Sequence, residues 1–214
     1  MTLTVSAFEL DATEVTVSQY AACVAAGGCA QPHEGDPKVN DKCHRNRPEE
    51  AELPVNCITW DMADSYCRFV GKRLPTDAEW EKAARGGDGR TYPWGEASPS
   101  CELANYAPVA SRFGAAVAQY CVGGPTPVGS YPEGTSPYGI VDMSGNVWEW
   151  TADWFDSAHT TRPDSVDPRG PPEGSQRIVR GGAWDFGPDS LRAYNQGHFP
   201  PTEWHNFIGV RCAR

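Results

Sequence analysis

The chain has 214 residues, with 18 lysines and arginines against 28 aspartates and glutamates, for a net charge of −10. That length suits one domain over 1–214 with a real core, and an acidic surface without a basic cluster excludes nucleic acid as a partner. No apolar run reaches the ~18 residues of a membrane span, and the opening "MTLTVSAFEL" has neither the basic nor the apolar region of a signal peptide.

The first predicted element is a helix opening at Thr16. Thr16 and Gln19 form a capping box, Val17, Tyr20, Ala21 and Val24 make an apolar stripe, and Gly27-Gly28 ends it. A second helix has Thr59 as its N-cap and runs through "WDMADSYCRFV" to Gly71, with Trp60, Ala63, Cys67 and Val70 on one face. The third follows Pro75. There Thr76 and Glu79 repeat the capping box, and Trp80, Ala83 and Ala84 point inward until Gly86-Gly87. From about Thr91 the pattern changes to short apolar stretches between Pro- and Gly-rich loops. Trp148 and Trp150, alternating across Glu149, read as a strand buried on one face. Aromatic residues scattered through the loops favour packed coil over disorder. The fold class is α+β, with helices early, short antiparallel strands late and much ordered coil.

Eight cysteines are many for a reducing compartment and imply an exported protein, extracellular or periplasmic. None forms a CxxC and no histidine stands at zinc-finger spacing, so a zinc site is a poor reading. Local pairing suggests Cys23–Cys29, Cys43–Cys57 and Cys101–Cys121, each closing a loop with Gly or Pro, and leaves Cys67 and Cys212. Spacing alone leaves other connectivities open.

Several phrases stand in one order: "ATEVTVSQYAACV", "LPVNCITWDMADSYCRFVGKRLPTDAEWEKAARGG", "YPWG", "PVGSYPEGTSPYGIVDMSGNVWEWTADW", "RIVRGGAW" and "IGVRCAR". From about Phe8 to Arg214 the chain resembles the formylglycine-generating enzyme, or sulfatase-modifying factor, family. The resemblance implies that family's variant of the C-type lectin-like fold, with little regular secondary structure, and a long-range bridge Cys67–Cys212. The family's enzymes use copper held by two cysteines shortly after the "RGG" turn. Those positions correspond here to Phe186 and Leu191, and the serine usual after the two glycines is Ala183. Neither Phe nor Leu binds copper or undergoes thiol chemistry, so the expectation is a catalytically silent domain.

Two other metals bear on this chain. Related branches hold iron with histidines, but His33, His44, His159, His198 and His205 show no helical HxxxE or HxxxH spacing, although His198 and His205 could meet in loops. Calcium is the expected cofactor. The resemblance implies a site at Asp142, Gly145, Val147 and Glu149, two carboxylates and two turn carbonyls suited to a hard cation. A second site would begin at Asn105 and Tyr106, but Cys121 stands where its carboxylate partner would be sought.

The segment after Gly181-Gly182 offers Trp184, Asp185, Phe186, Asp189, Ser190, Tyr194, His198, Phe199, Trp204, His205 and Phe207. Large aromatics mixed with short polar side chains suit a recognition surface. The resemblance extends to the variable proteins of diversity-generating retroelements, whose hypervariable positions lie in this segment and descend from adenine-rich codons; Gln196 and Trp204 fit that origin less well. The reading is a ligand-binding module for a protein, peptide or glycan, tethered to a larger protein. The alternatives are an oxidoreductase using the same pocket without the cysteines, and a paralogue that binds a sulfatase peptide without converting it.

Overall fold

The computed structural model describes residues 4–35, 42–43, 47–109, 119–157 and 166–214. Helix α1, Val17–Ala25, starts at Thr16, whose hydroxyl accepts from Gln19 N while Gln19 Oε1 accepts from Thr16 N. Helix α2, Trp60–Phe69, is capped by Thr59, and α3, Asp77–Arg85, has the Thr76–Glu79 capping box. Each such cap satisfies orphan amides and contributes about 1 kcal/mol. The glycines end the helices as expected, Gly27 and Gly86 having φ of 75° and 69°. Val70 does not join the buried face of α2. It is the C-cap, 40 % exposed, and Met62 and Tyr66 are buried instead.

Four strands form one sheet, in the order β3-β2-β1-β4: β1 is Trp148–Trp154, β2 Arg177–Arg180, β3 Gln196–Phe199 and β4 Ile208–Gly209. β1 pairs antiparallel with β2 and β2 with β3, whereas β4 joins β1 in parallel. β1 is buried on both faces rather than one. Trp148, Glu149, Trp150 and Thr151 are all buried, because α2 and α3 cover the sheet and Glu149 has an internal partner. The main core gathers Tyr20, Ile58, Tyr66, Trp148, Trp150, Val179, Ile208 and Val210.

The chain ends meet. Glu9 and Arg214 exchange backbone hydrogen bonds of 2.8 and 2.9 Å, and Ala213 bridges both Leu10 and Arg73. All eight cysteines are oxidised, as Cys23–Cys29, Cys43–Cys57, Cys67–Cys212 and Cys101–Cys121. These are the pairings expected from the loops and the resemblance. They are consistent with an oxidising compartment, and no helix among the described residues is long and apolar enough to cross a membrane.

Candidate functional site

Strand β2 runs straight into Gly181-Gly182, both at positive φ. A side chain at Gly182 would put its Cβ 2.7 Å from Ser190 Oγ and 3.0 Å from Ser190 O. The turn therefore folds onto Ser190, which is buried and donates to Gly187 O at 2.7 Å. Ser190 belongs under the turn and does not face outward as a recognition residue would. Leu191 is wholly buried with Tyr92, Ala104 and Tyr106.

Phe186 lies edge-on to Trp148 at 5.5 Å and to Phe207 at 5.0 Å. From Phe207 the ring contacts continue to His205, stacked at 4.7 Å, and to Phe199, which also touches His205 at 5.0 Å. Trp204 stacks on His33 at 4.9 Å, and His198 on Phe155 at 3.8 Å. β3 and β4 are opposite edges of the sheet, so Phe199 meets His205 and Phe207 through the connection between those strands, while His33 and Phe155 arrive from after α1 and after β1. Trp184 is flanked by the tilted ring of Tyr120 at 5.6 Å.

Asp189 and Tyr194 are not part of that ring cluster. Asp189 is exposed and paired with Arg192 at 2.7 Å, while Tyr194 lies beneath the Arg85 guanidinium at the end of α3. His198 stacks on Phe155 and His205 on Phe207, and neither belongs to a group of three potential metal ligands among the described residues. His44 and His159 lie outside the described residues. Tyr120 and Phe155 escaped sequence reasoning; nothing local marks a ring whose partner is over 40 residues away in the chain.

Behind the aromatics sits a buried ionic centre. Arg211 donates from Nε and Nη2 to the two oxygens of Glu149, each at 2.7 Å, and Trp80 Nε1 donates to Glu149 Oε2 at 2.6 Å. Glu149 and Arg211 are both 0 % exposed. Burial pushes the Glu149 carboxyl up, while Arg211 and Trp80 pull it down. Glu14 is also fully buried; burial chiefly, and Asp142 next, raise its carboxyl well above the usual range.

The calcium residues can be tested against this frame. Asp142 has φ 56°, and its Oδ2 accepts from Gly129 N at 2.5 Å. Glu149 holds the Arg211 guanidinium directly, and Glu14 and Asp142 act on it by charge. Glu14 Oε2 and Asn105 Oδ1 are buried oxygens with no donor. These orphans lie outside the expected calcium set, whose Glu149 oxygens are taken by Arg211 and Trp80 and whose Asp142 Oδ2 is taken by Gly129 N. Among the described residues no three acidic, histidine or cysteine side chains converge on one point, so backbone carbonyls such as those of Gly145 and Val147 would have to complete the shell.

Helices laid over a small sheet, much ordered coil and a C-terminal segment turning at two glycines define a C-type lectin-like domain of the formylglycine-generating-enzyme type. Residues 1–214 match the family described as "Sulfatase-modifying factor enzyme 1-like domain", and the chain belongs to that family. It is 34 % identical to "Serine/threonine-protein kinase Pkn1" of Chlamydia trachomatis serovar L2, over 99 % of this chain and 34 % of the relative. It is 37 % identical to the formylglycine-generating enzyme of Streptomyces coelicolor, over 79 % of this chain and 58 % of that one. The chain therefore spans between a third and three-fifths of these relatives. Among solved structures, PvdO from Pseudomonas aeruginosa superposes with TM-score 0.74 and 24 % identity, over 97 % of this chain and 80 % of that one. Treponema denticola variable protein 1 superposes with TM-score 0.71 and 22 % identity, over 99 % and 85 %.

Proposed function

We propose that the domain is a ligand-binding module, silent in the family's copper chemistry, whose recognition surface is the aromatic segment between Trp184 and Phe207. The observation that carries this reading is the packing of Phe186. A phenyl ring wedged between Trp148 and Phe207 takes up the position where the resemblance expects a copper thiolate. No thiol elsewhere substitutes, since every cysteine is in a disulfide. Rings supported by one another present area at low entropy cost. The likeness in fold to a variable protein supports a display role, and the four disulfides support an extracellular or periplasmic setting within a longer protein.

Two measurements test the reading. Protein incubated with copper, reductant and a sulfatase-type Cys-x-Pro-x-Arg peptide should leave the peptide mass unchanged; conversion of its cysteine would overturn the silence. On peptide and glycan arrays, Phe207→Ala should weaken capture of the bound members by about tenfold or more, as central aromatic anchors do. Equal capture by the variant, or no capture by the parent on any array, would overturn the surface.

Calcium is proposed as a structural ion at Asp142, Gly145, Val147 and Glu149, the last of which would have to release Arg211 or Trp80 to ligate it. It would offset the buried acid and fix the turn before β1. At about a hundredfold excess over its dissociation constant a ligand adds about 2.7 kcal/mol, which for a domain this size raises Tm by roughly 5–10 °C. Asp142→Asn should remove that increment. Identical melting in calcium and in chelator would exclude the ion.

A further inference from the structure

Trp184 and Asp185, consecutive on the turn, carry two polar atoms that nothing among the described residues satisfies. Trp184 is 8 % exposed and its indole Nε1–H has no acceptor. Asp185 is half-buried, and its shielded Oδ1 has no donor among the described residues. Buried orphans of this kind are rare in native proteins, and each one asks for an explanation.

The backbone cannot swing to find partners for them. Trp184 N donates to Asn146 O at 3.0 Å, Phe186 N to Ala183 O at 3.0 Å, and Ala107 N to Phe186 O at 2.9 Å. The opposing arm is fixed too. Cys121 N donates to Tyr106 O at 2.9 Å, and the Cys101–Cys121 bridge anchors the residue next to Tyr120. Tyr120, 43 % exposed, leans its ring over Trp184. Phe186, edge-on to Trp148, flanks the carboxyl in the chain.

Among the described residues no cation pairs with Asp185. Arg180 and Arg192, the nearest basic residues along the chain on either side, are paired with Asp77 and Glu81 and with Asp189 respectively. Burial alone raises the Asp185 carboxyl, to about 6, against a small opposing hydrogen bond from its own backbone. At neutral pH it is still an anion. An unpaired carboxylate oxygen selects a cation that brings its own N–H donors. A lone indole N–H next to it asks for an acceptor, such as a carbonyl or hydroxyl.

We propose that Trp184 and Asp185, walled by Tyr120, form a subsite for a primary ammonium or guanidinium group flanked by a hydrogen-bond acceptor. In the bound state the cation donates to Asp185 Oδ1 and the Trp184 indole donates to the acceptor. This rests on reading the segment as a recognition surface and gives that surface its ligand class. An arginine or lysine side chain and an amino sugar carry the same chemistry.

The indole region of the 1H–15N spectrum tests it, with the Trp184 resonance assigned by loss in Trp184→Phe. Arginine amide, lysine amide and glucosamine are titrated separately, with citrulline amide as the uncharged control. At least one cation should shift the Trp184 indole peak saturably, and which one does so separates peptide from glycan sources. Citrulline amide should leave it in place. Asp185→Asn should weaken the effective cation by tenfold or more while melting no lower than the parent, since it removes an unpaired charge. An unmoved peak with all three cations, or unchanged affinity in Asp185→Asn, overturns the subsite. Capture on the arrays and its loss in Phe207→Ala do not depend on Asp185, so the surface can stand where the subsite fails.

Discussion

Glu149→Gln is expected to destabilise the domain by about 3–5 kcal/mol, the range for removing one partner of a fully buried pair. In a protein of this size that corresponds to roughly 10 °C in Tm. Arg211 would keep its backbone acceptors, Asp11 O and Val141 O at 3.1 Å each. It would lose the carboxylate that both of its donor edges face. The cost arises from the uncompensated guanidinium, not from the lost attraction alone. It follows that removing both charges should be milder than removing one. Glu149→Leu with Arg211→Met should recover much of the loss, as apolar replacements of buried pairs do. Calorimetry on the two variants decides the matter. A Glu149→Gln loss below about 1 kcal/mol would mean that Glu14, also close to Arg211 in charge, takes over as its partner.

What could be read from the sequence differs by the range of the interaction. The helices were legible because a cap acts over three residues: Thr16 with Gln19 and Thr76 with Glu79 declare themselves locally. Short disulfide loops are likewise local, whereas Cys67–Cys212 needed the family resemblance. Burial was less legible where the partner is remote. The expectation of one buried face for Trp148–Trp150 failed because Glu149 turns inward to Arg211 and Trp80, 62 and 69 residues away. Val70 kept helical spacing but lies past the end of α2, where the spacing no longer predicts the buried face.

The candidate site shows the same division. Phe186, Phe199, His205 and Phe207 stand in one segment of the sequence, but their ring contacts depend on how the connections around the sheet fold, since β3 and β4 do not pair. Ser190 looked identical in sequence to an adaptable contact residue, yet a glycine eight positions earlier folds over it. Tyr120, Phe155 and His33 reach the site from separate loops, and their contribution is a property of the tertiary fold. The unsatisfied atoms of Trp184 and Asp185 are invisible in sequence for the same reason, since an orphan is defined by all the partners that fail to arrive.

Replacing Cys67 and Cys212 together by alanine is expected to cost more than losing any other bridge. The pair encloses a sequence separation of 145, against 6 for Cys23–Cys29. In the chain-entropy account the stabilisation grows with the logarithm of loop length, giving about 5 kcal/mol for the long loop and about 2 for the short one. The long bridge also holds the chain end beside Arg211, next in sequence to Cys212, and near the Glu9–Arg214 backbone pair. Its loss should therefore weaken the ionic centre as well, so that adding Glu149→Gln to the bridge-free variant costs less than adding it to the parent. Thermal melts of the two paired cysteine variants under non-reducing conditions provide the comparison. If Cys23→Ala with Cys29→Ala lowers Tm as far as the long-range pair does, loop length is not what makes these bridges stabilising. The closed ends would then be held by the Glu9–Arg214 pairing and the buried guanidinium, with the bridge following rather than fixing them.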